Sequence, residues 1–118
     1  MSTDPRRNKR SIIERLKYGH DKKTTAQLRT EQGCFCFQGI IADEYLRDTG
    51  GEWIEGIGIQ VNPDSKMRTA HIPKEVMEWS GFSETELSRY TSLNDDVILG
   101  LTLAQLGRII DNDVSWGV

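Results

Sequence analysis

The chain has 118 residues, of which 15 are Lys or Arg and 18 are Asp or Glu, for a formal net charge of −3, and it carries two cysteines. This length gives room for one domain, and no run approaches the roughly 18 apolar residues of a membrane span, so no membrane-spanning helix is expected. The start, Met1-Ser2-Thr3-Asp4-Pro5-Arg6-Arg7, is basic but lacks the apolar stretch of a secretory leader, and a cytoplasmic location is expected.

Charge is unevenly placed: residues 1–30 carry nine Lys or Arg against three Asp or Glu, a balance of +6, and the remainder carries −9. Such a split suits a basic arm that meets an anionic partner, or association between complementary copies. Residues 1–10, with Pro5 and four basic side chains, show no apolar periodicity and read as a flexible basic arm. Order is expected from Ser11, where Ser11-Ile12-Ile13-Glu14 has the form of a capping box and Ile12, Ile13 and Leu16 make an apolar face before Gly19. Residues 28–36 read as a small hairpin about Glu31-Gln32-Gly33.

Phe37, Ile41 and Tyr45 then recur every fourth residue, with Ile40 beside them, which predicts an amphipathic helix over 37–48 that stops at Gly50-Gly51. Gly39 inside it marks close approach of another backbone. Alternation of Ile57, Ile59 and Val61, the turn chemistry of Asn62-Pro63-Asp64-Ser65, and a return through Ile72 predict a β-hairpin. Short helices follow over 73–80, ending at Gly81, and from the capping box at Ser83 to Tyr90. Residues 91–96 read as a polar turn, and Thr102 to Gln105 as a third box that opens a helix over 102–111. The expectation is a single α+β domain over 11–113, a small antiparallel sheet packed by three to five short helices, with 114–118 as a tail carrying Trp116. Its core is expected from Ile12, Leu16, Phe37, Ile40, Ile41, Tyr45, Ile57, Ile59, Val76, Trp79, Leu93, Leu106 and Ile109.

Chemistry is sparse. Cys34 and Cys36 alternate faces in an extended segment, which disfavours a mutual disulfide, and no second Cys pair or His pair completes a metal site. No metal or cofactor is expected. A thiol enzyme would need Cys36 with His71 or Asp43, and neither spacing identifies a dyad. No phosphate-binding glycine loop is present. Two sets of residues remain as candidate contacts: the basic Arg6, Arg7, Lys9 and Arg10, and the loop residues Asn94, Asp95 and Asp96, for which bracing of the loop is favoured over cation binding because no calcium-loop spacing follows.

Several anchors fall in a recognisable pattern: Leu28-Arg29, Gly33, Cys36, Gly39, Asp43 and Tyr45, then Trp53, Ile72-Pro73, Val76, Trp79 and Gly81, then Leu93-Asn94-Asp95, Thr102-Leu103 and the stretch from Leu106 to Ile110. Over about residues 11–111 the chain resembles a family of small, mostly uncharacterised proteins of bacteriophages and prophage regions. It departs from that pattern at Phe37 and Ala42, where the family has cysteines. The resemblance implies provenance and continuity of fold. With it, the expected function is that of a non-catalytic phage or prophage accessory protein that binds and modulates a host component, either a protein or a nucleotide-like ligand. Nucleic-acid binding through the basic arm is the alternative, and homo-oligomerisation is compatible with the charge split.

Overall fold

The computed structural model describes residues 4–113; residues 1–3 and the expected tail with Trp116 lie outside the described residues. The described residues form five helices, α1 Pro5–Tyr18, α2 Phe37–Thr49, α3 Lys74–Ser80, α4 Glu84–Asp95 and α5 Leu103–Asp113. Among the described residues there is no strand, only isolated bridges, so the expected α+β domain is corrected to an all-α one.

The sheet fails for a local reason. Glu55 and Gly56 both have positive φ, 54° and 78°, which folds the chain back at once and pairs Ile54 with Gly58. The expected hairpin about Asn62 survives as a single antiparallel bridge: Ile59 and Arg68 exchange bonds of 2.9 and 2.8 Å. The turn itself forms as its residues suggest, with Asp64 N–H donating to Asn62 Oδ1 at 3.0 Å and Ser65 N–H to the Asn62 carbonyl at 3.0 Å. The Gln60 side chain donates to the carbonyls of Pro63 and Ser65 instead of leaving the backbone to extend a ladder. Residues 28–36 likewise close through Thr30 N–H to the Cys34 carbonyl and one Arg29–Phe35 bridge, without forming strands.

Helix α1 begins at Pro5, six residues before Ser11, and takes in most of the expected flexible arm. Asp4 is the N-cap, accepting from Arg6 N–H at 3.1 Å, and Pro5 occupies the first turn, where its missing N–H costs nothing. The stripe that buries α1 starts with a polar residue: Asn8 precedes Ile12 and Leu16 at intervals of four and donates from Nδ2 to the Trp79 carbonyl at 2.9 Å. Lys9 Nζ reaches Glu86 at 2.7 Å and lies over the Phe82 ring. Ser11 and Glu14 are therefore mid-helix and form no capping box.

The other helix boundaries follow their signals closely. Ser83 and Glu86 satisfy each other's backbone N–H at 3.1 and 2.9 Å, and Thr102 and Gln105 do the same at 3.1 and 2.8 Å. Gly81, with φ of 80°, caps α3. The exception is α4, which runs through the expected polar turn to Asp95 because Leu87, Tyr90 and Asn94 share one buried face.

Helix α2 is the centre of the core, with Phe37, Ile40, Ile41 and Ala42 fully buried. Phe37 meets Phe82 and Tyr90 edge-on, at centroid distances of 5.3 and 5.9 Å. Gly39 permits close approach of another backbone: a Cβ there would lie 1.8 Å from the Leu28 carbonyl oxygen. Helix α1 packs most extensively on α5, where Gly107 lies against Leu16 and Lys17. Of the expected core, Tyr45, Ile57, Trp79, Leu93 and Ile109 are only partly buried, and Ile110 takes the position assigned to Ile109. Trp79 keeps an edge outward because its Nε1 donates to Asp48 at 3.0 Å.

Candidate functional site

The C-terminal end of α4 brings the acidic candidates together, but in different roles. Asn94 is buried: its Oδ1 accepts from Phe37 N–H at 3.1 Å, and its Nδ2 donates to the Thr24 carbonyl at 3.2 Å and to Asp95 Oδ1 at 2.8 Å. It closes the first turn of α2 against α4 and is a structural residue. Asp96 braces its own loop, its Oδ1 accepting from the N–H groups of Ile98 and Leu99 at 2.9 and 3.0 Å. Asp95 is exposed and faces a cleft of about 580 Å³ between the segments 21–25 and 94–103, with Lys22 and Lys23 on the far segment and Leu103 among its apolar lining.

The loop that Asp96 braces holds the feature that sequence reasoning missed. Val97, Ile98 and Leu99 are 86, 92 and 54 % exposed, three consecutive apolar side chains held in water at the lip of that cleft. The signal is present in the sequence: an apolar run between the polar Asn94-Asp95-Asp96 and the capping box at Thr102 has no helix to join, so its side chains have no core to enter.

The basic candidates do not converge on this cleft. Arg6, Arg7 and Arg10 are exposed on the first turns of α1, which has no acidic residue in its first turn. Lys9 is committed to Glu86. Arg7 instead borders a cavity of about 490 Å³ with Ser11, Arg47, Asp48, Glu44 and Trp79, where charges of both signs alternate.

Behind these surfaces lies an internal ion network. Arg15 donates twice to Asp21 at 3.0 Å and to Asp43 at 2.6 Å, and Asp43 also receives Trp53 Nε1 at 2.8 Å and Arg47 at 2.9 Å. Burial by itself would raise the Asp43 carboxyl, but the bonds from Trp53 and Arg15 and the charges of Arg15 and Arg47 outweigh it and hold the group below its ordinary value. Burial opposes the Arg15 charge too, and Asp21 and Asp43 more than restore it. Phe35 and Trp53 meet at a tilt of 54° beside this network, with Arg29 over both rings at 5.6 Å. The network pins the segment after α1 and Trp53 to α2.

Cys34 and Cys36 are free thiols. Cys36 is the N-cap of α2, its Sγ accepting from Gly39 N–H at 3.3 Å, and burial pushes its pKa up to about 11 despite that bond. At neutral pH it is a protonated thiol, the unreactive form. His71 is exposed and borders a cavity of about 260 Å³ with Cys36, Asn94 and Asp95. Among the described residues no group of His, Cys, Asp and Glu is arranged to hold a metal ion, and no helix is long and apolar enough to cross a membrane.

No curated protein and no solved structure matches the chain. A family model described as Domain of unknown function (DUF8296) matches residues 5–115, from the first residue of α1 past the last of α5. The match thus takes in every helix and both segments that border the cleft, and the chain belongs to the DUF8296 family.

Proposed function

We propose that the protein is a non-catalytic binding module whose contact surface is the loop of residues 96–102 together with the cleft beside it. The observation that carries this is the exposure of Val97, Ile98 and Leu99. Single exposed apolar side chains are ordinary, but a contiguous apolar patch held out by a braced backbone suits contact with a partner. Burying such side chains against a partner returns about 1.5–3 kcal/mol each when complete. The neutral state of Cys36 supports the non-catalytic side of the proposal. Bacteriophage provenance and a host component as partner rest on the sequence resemblance alone; binding through this face requires neither.

A second surface, for nucleic acid, is supported by the exposure of Arg6, Arg7 and Arg10 on α1, where the helix dipole adds to their positive charge.

The test of the leading proposal is a photo-reactive side chain placed at position 98 and, as control, at Glu75 on α3, followed by irradiation in the cell of origin and mass spectrometry of the adducts. A discrete adduct at 98 that is missing from the control supports the binding face. Equal, nonspecific labelling at both positions overturns it.

A further inference from the structure

We propose that the occupant of this face is a second copy of the chain, related by a two-fold axis so that Ile98 and Leu99 of each copy enter the cleft of the other. The inference rests on the loop and cleft being a binding face, and it goes further by naming the partner.

A two-fold interface must be complementary to itself, because the same patch stands on both sides. This patch meets that demand in shape and in charge. The projecting apolar lip and the cleft with apolar lining adjoin each other, since Val97 belongs to both. The two segments bordering the cleft carry opposite charge, Lys22 and Lys23 on one, where the carboxylate of Asp21 is taken up by Arg15, and Asp95 and Asp96 on the other. Among the described residues neither lysine makes an ion pair, and Asp95 holds only the neutral Asn94 amide through its Oδ1. A two-fold rotation sets the lysines of each copy against the aspartates of the other. A strongly acidic or strongly basic partner would gain at one segment what it loses at the other. The chain's formal charge of −3 is no obstacle, because the patch itself is balanced. One loop and one cleft per copy make a small interface, so the dimer forms reversibly with concentration.

Sedimentation velocity over a concentration series tests this with three surface variants, Ile98→Asp, Lys22→Glu and Asp95→Lys, all at exposed positions. The wild type should move from monomer towards dimer as concentration rises. Ile98→Asp should remain a monomer throughout. Lys22→Glu and Asp95→Lys should each weaken the dimer by about tenfold or more, because each sets like charges against each other twice. Mixing these two variants should restore it, since both contacts then pair opposite charges. A wild type that is monomeric at every concentration, or a dimer indifferent to Ile98→Asp and to the mixing, overturns the inference. If the wild type is monomeric while the probe at position 98 still gives a discrete adduct with a different protein, only the choice of partner fails. If that adduct is missing as well, the binding face fails with it.

Discussion

Asn94 stands 1 % exposed at the end of α4 and serves the first amide of α2 as acceptor and the Thr24 carbonyl as donor. Replacing it by alanine leaves the buried Phe37 amide and the part-buried Thr24 carbonyl unpaired, and urea denaturation should record a loss of about 2–4 kcal/mol. An Asn-Asp-Asp run in a sequence suits a loop or a cation as well as this role; only the placement of Phe37 beside it decides. Gly39 is the opposite case, legible as a packing glycine from its place in an amphipathic pattern, although the pattern does not say that Leu28 is the neighbour. Asp43 carries a second expectation. Its folded-state pKa lies below the ordinary value of 3.8, so its contribution is present above that pH and is lost as pH falls through the folded value. Asp43→Asn removes the 2.6 Å partner of Arg15 while leaving it Asp21 and Glu44, and should cost about 1.5–3 kcal/mol near neutral pH. Denaturation at a series of pH values should show the gap between wild type and variant closing below about pH 4. A gap independent of pH would mean that the network does not hold Asp43 ionised.

At the scale of elements, ends are easier to read than neighbours. Capping boxes at Ser83 and Thr102, glycine at the end of α3 and the four-residue spacing of Phe37 and Ile41 are local signals, and the helices they mark are where those signals put them. The expected hairpin of 54–72 rests on alternation, which states a preference for a pleated surface and not a partner to pair with. Two consecutive positive φ values at Glu55 and Gly56 spend the strand in a turn. The first turns of α1 are charged and lack an apolar stripe, which resembles a mobile arm, although Asp4 followed by Pro5 is the signature of a helix N-terminus. The consequence is practical. Deleting residues 1–10 removes the Asn8–Trp79 and Lys9–Glu86 ties, so this truncation should lower thermal stability and does not isolate a nucleic-acid role. The informative variant is Arg6→Gln/Arg7→Gln. If α1 binds nucleic acid, it should keep the wild-type melting temperature and flatten the salt dependence of affinity, the slope falling by about 0.7–0.9 for each phosphate no longer neutralised. An unchanged slope would remove the arginines from any such surface.

For the molecule as a whole, stability and contact are carried by different parts. The core gathers on α2 between α1, α3 and α4, and the ion network about Asp43 fastens the irregular segments to it. The loop of residues 96–102 adds little to that core through Val97, Ile98 and Leu99, yet Asp96 fixes its backbone. Neither the cleft nor its charge balance is visible in the sequence, because Lys22 and Asp95 lie more than seventy positions apart along the chain and meet only through the packing of α2 and α4. A binding face here requires those three apolar side chains to stand outside the fold, and urea denaturation of Val97→Ser/Ile98→Ser/Leu99→Ser tests that most directly. At a dilute protein concentration, where association adds nothing to stability, the variant should unfold within about 0.5 kcal/mol of the wild type. A loss of about 2 kcal/mol or more would place these residues in the core and contradict a surface held ready for a partner.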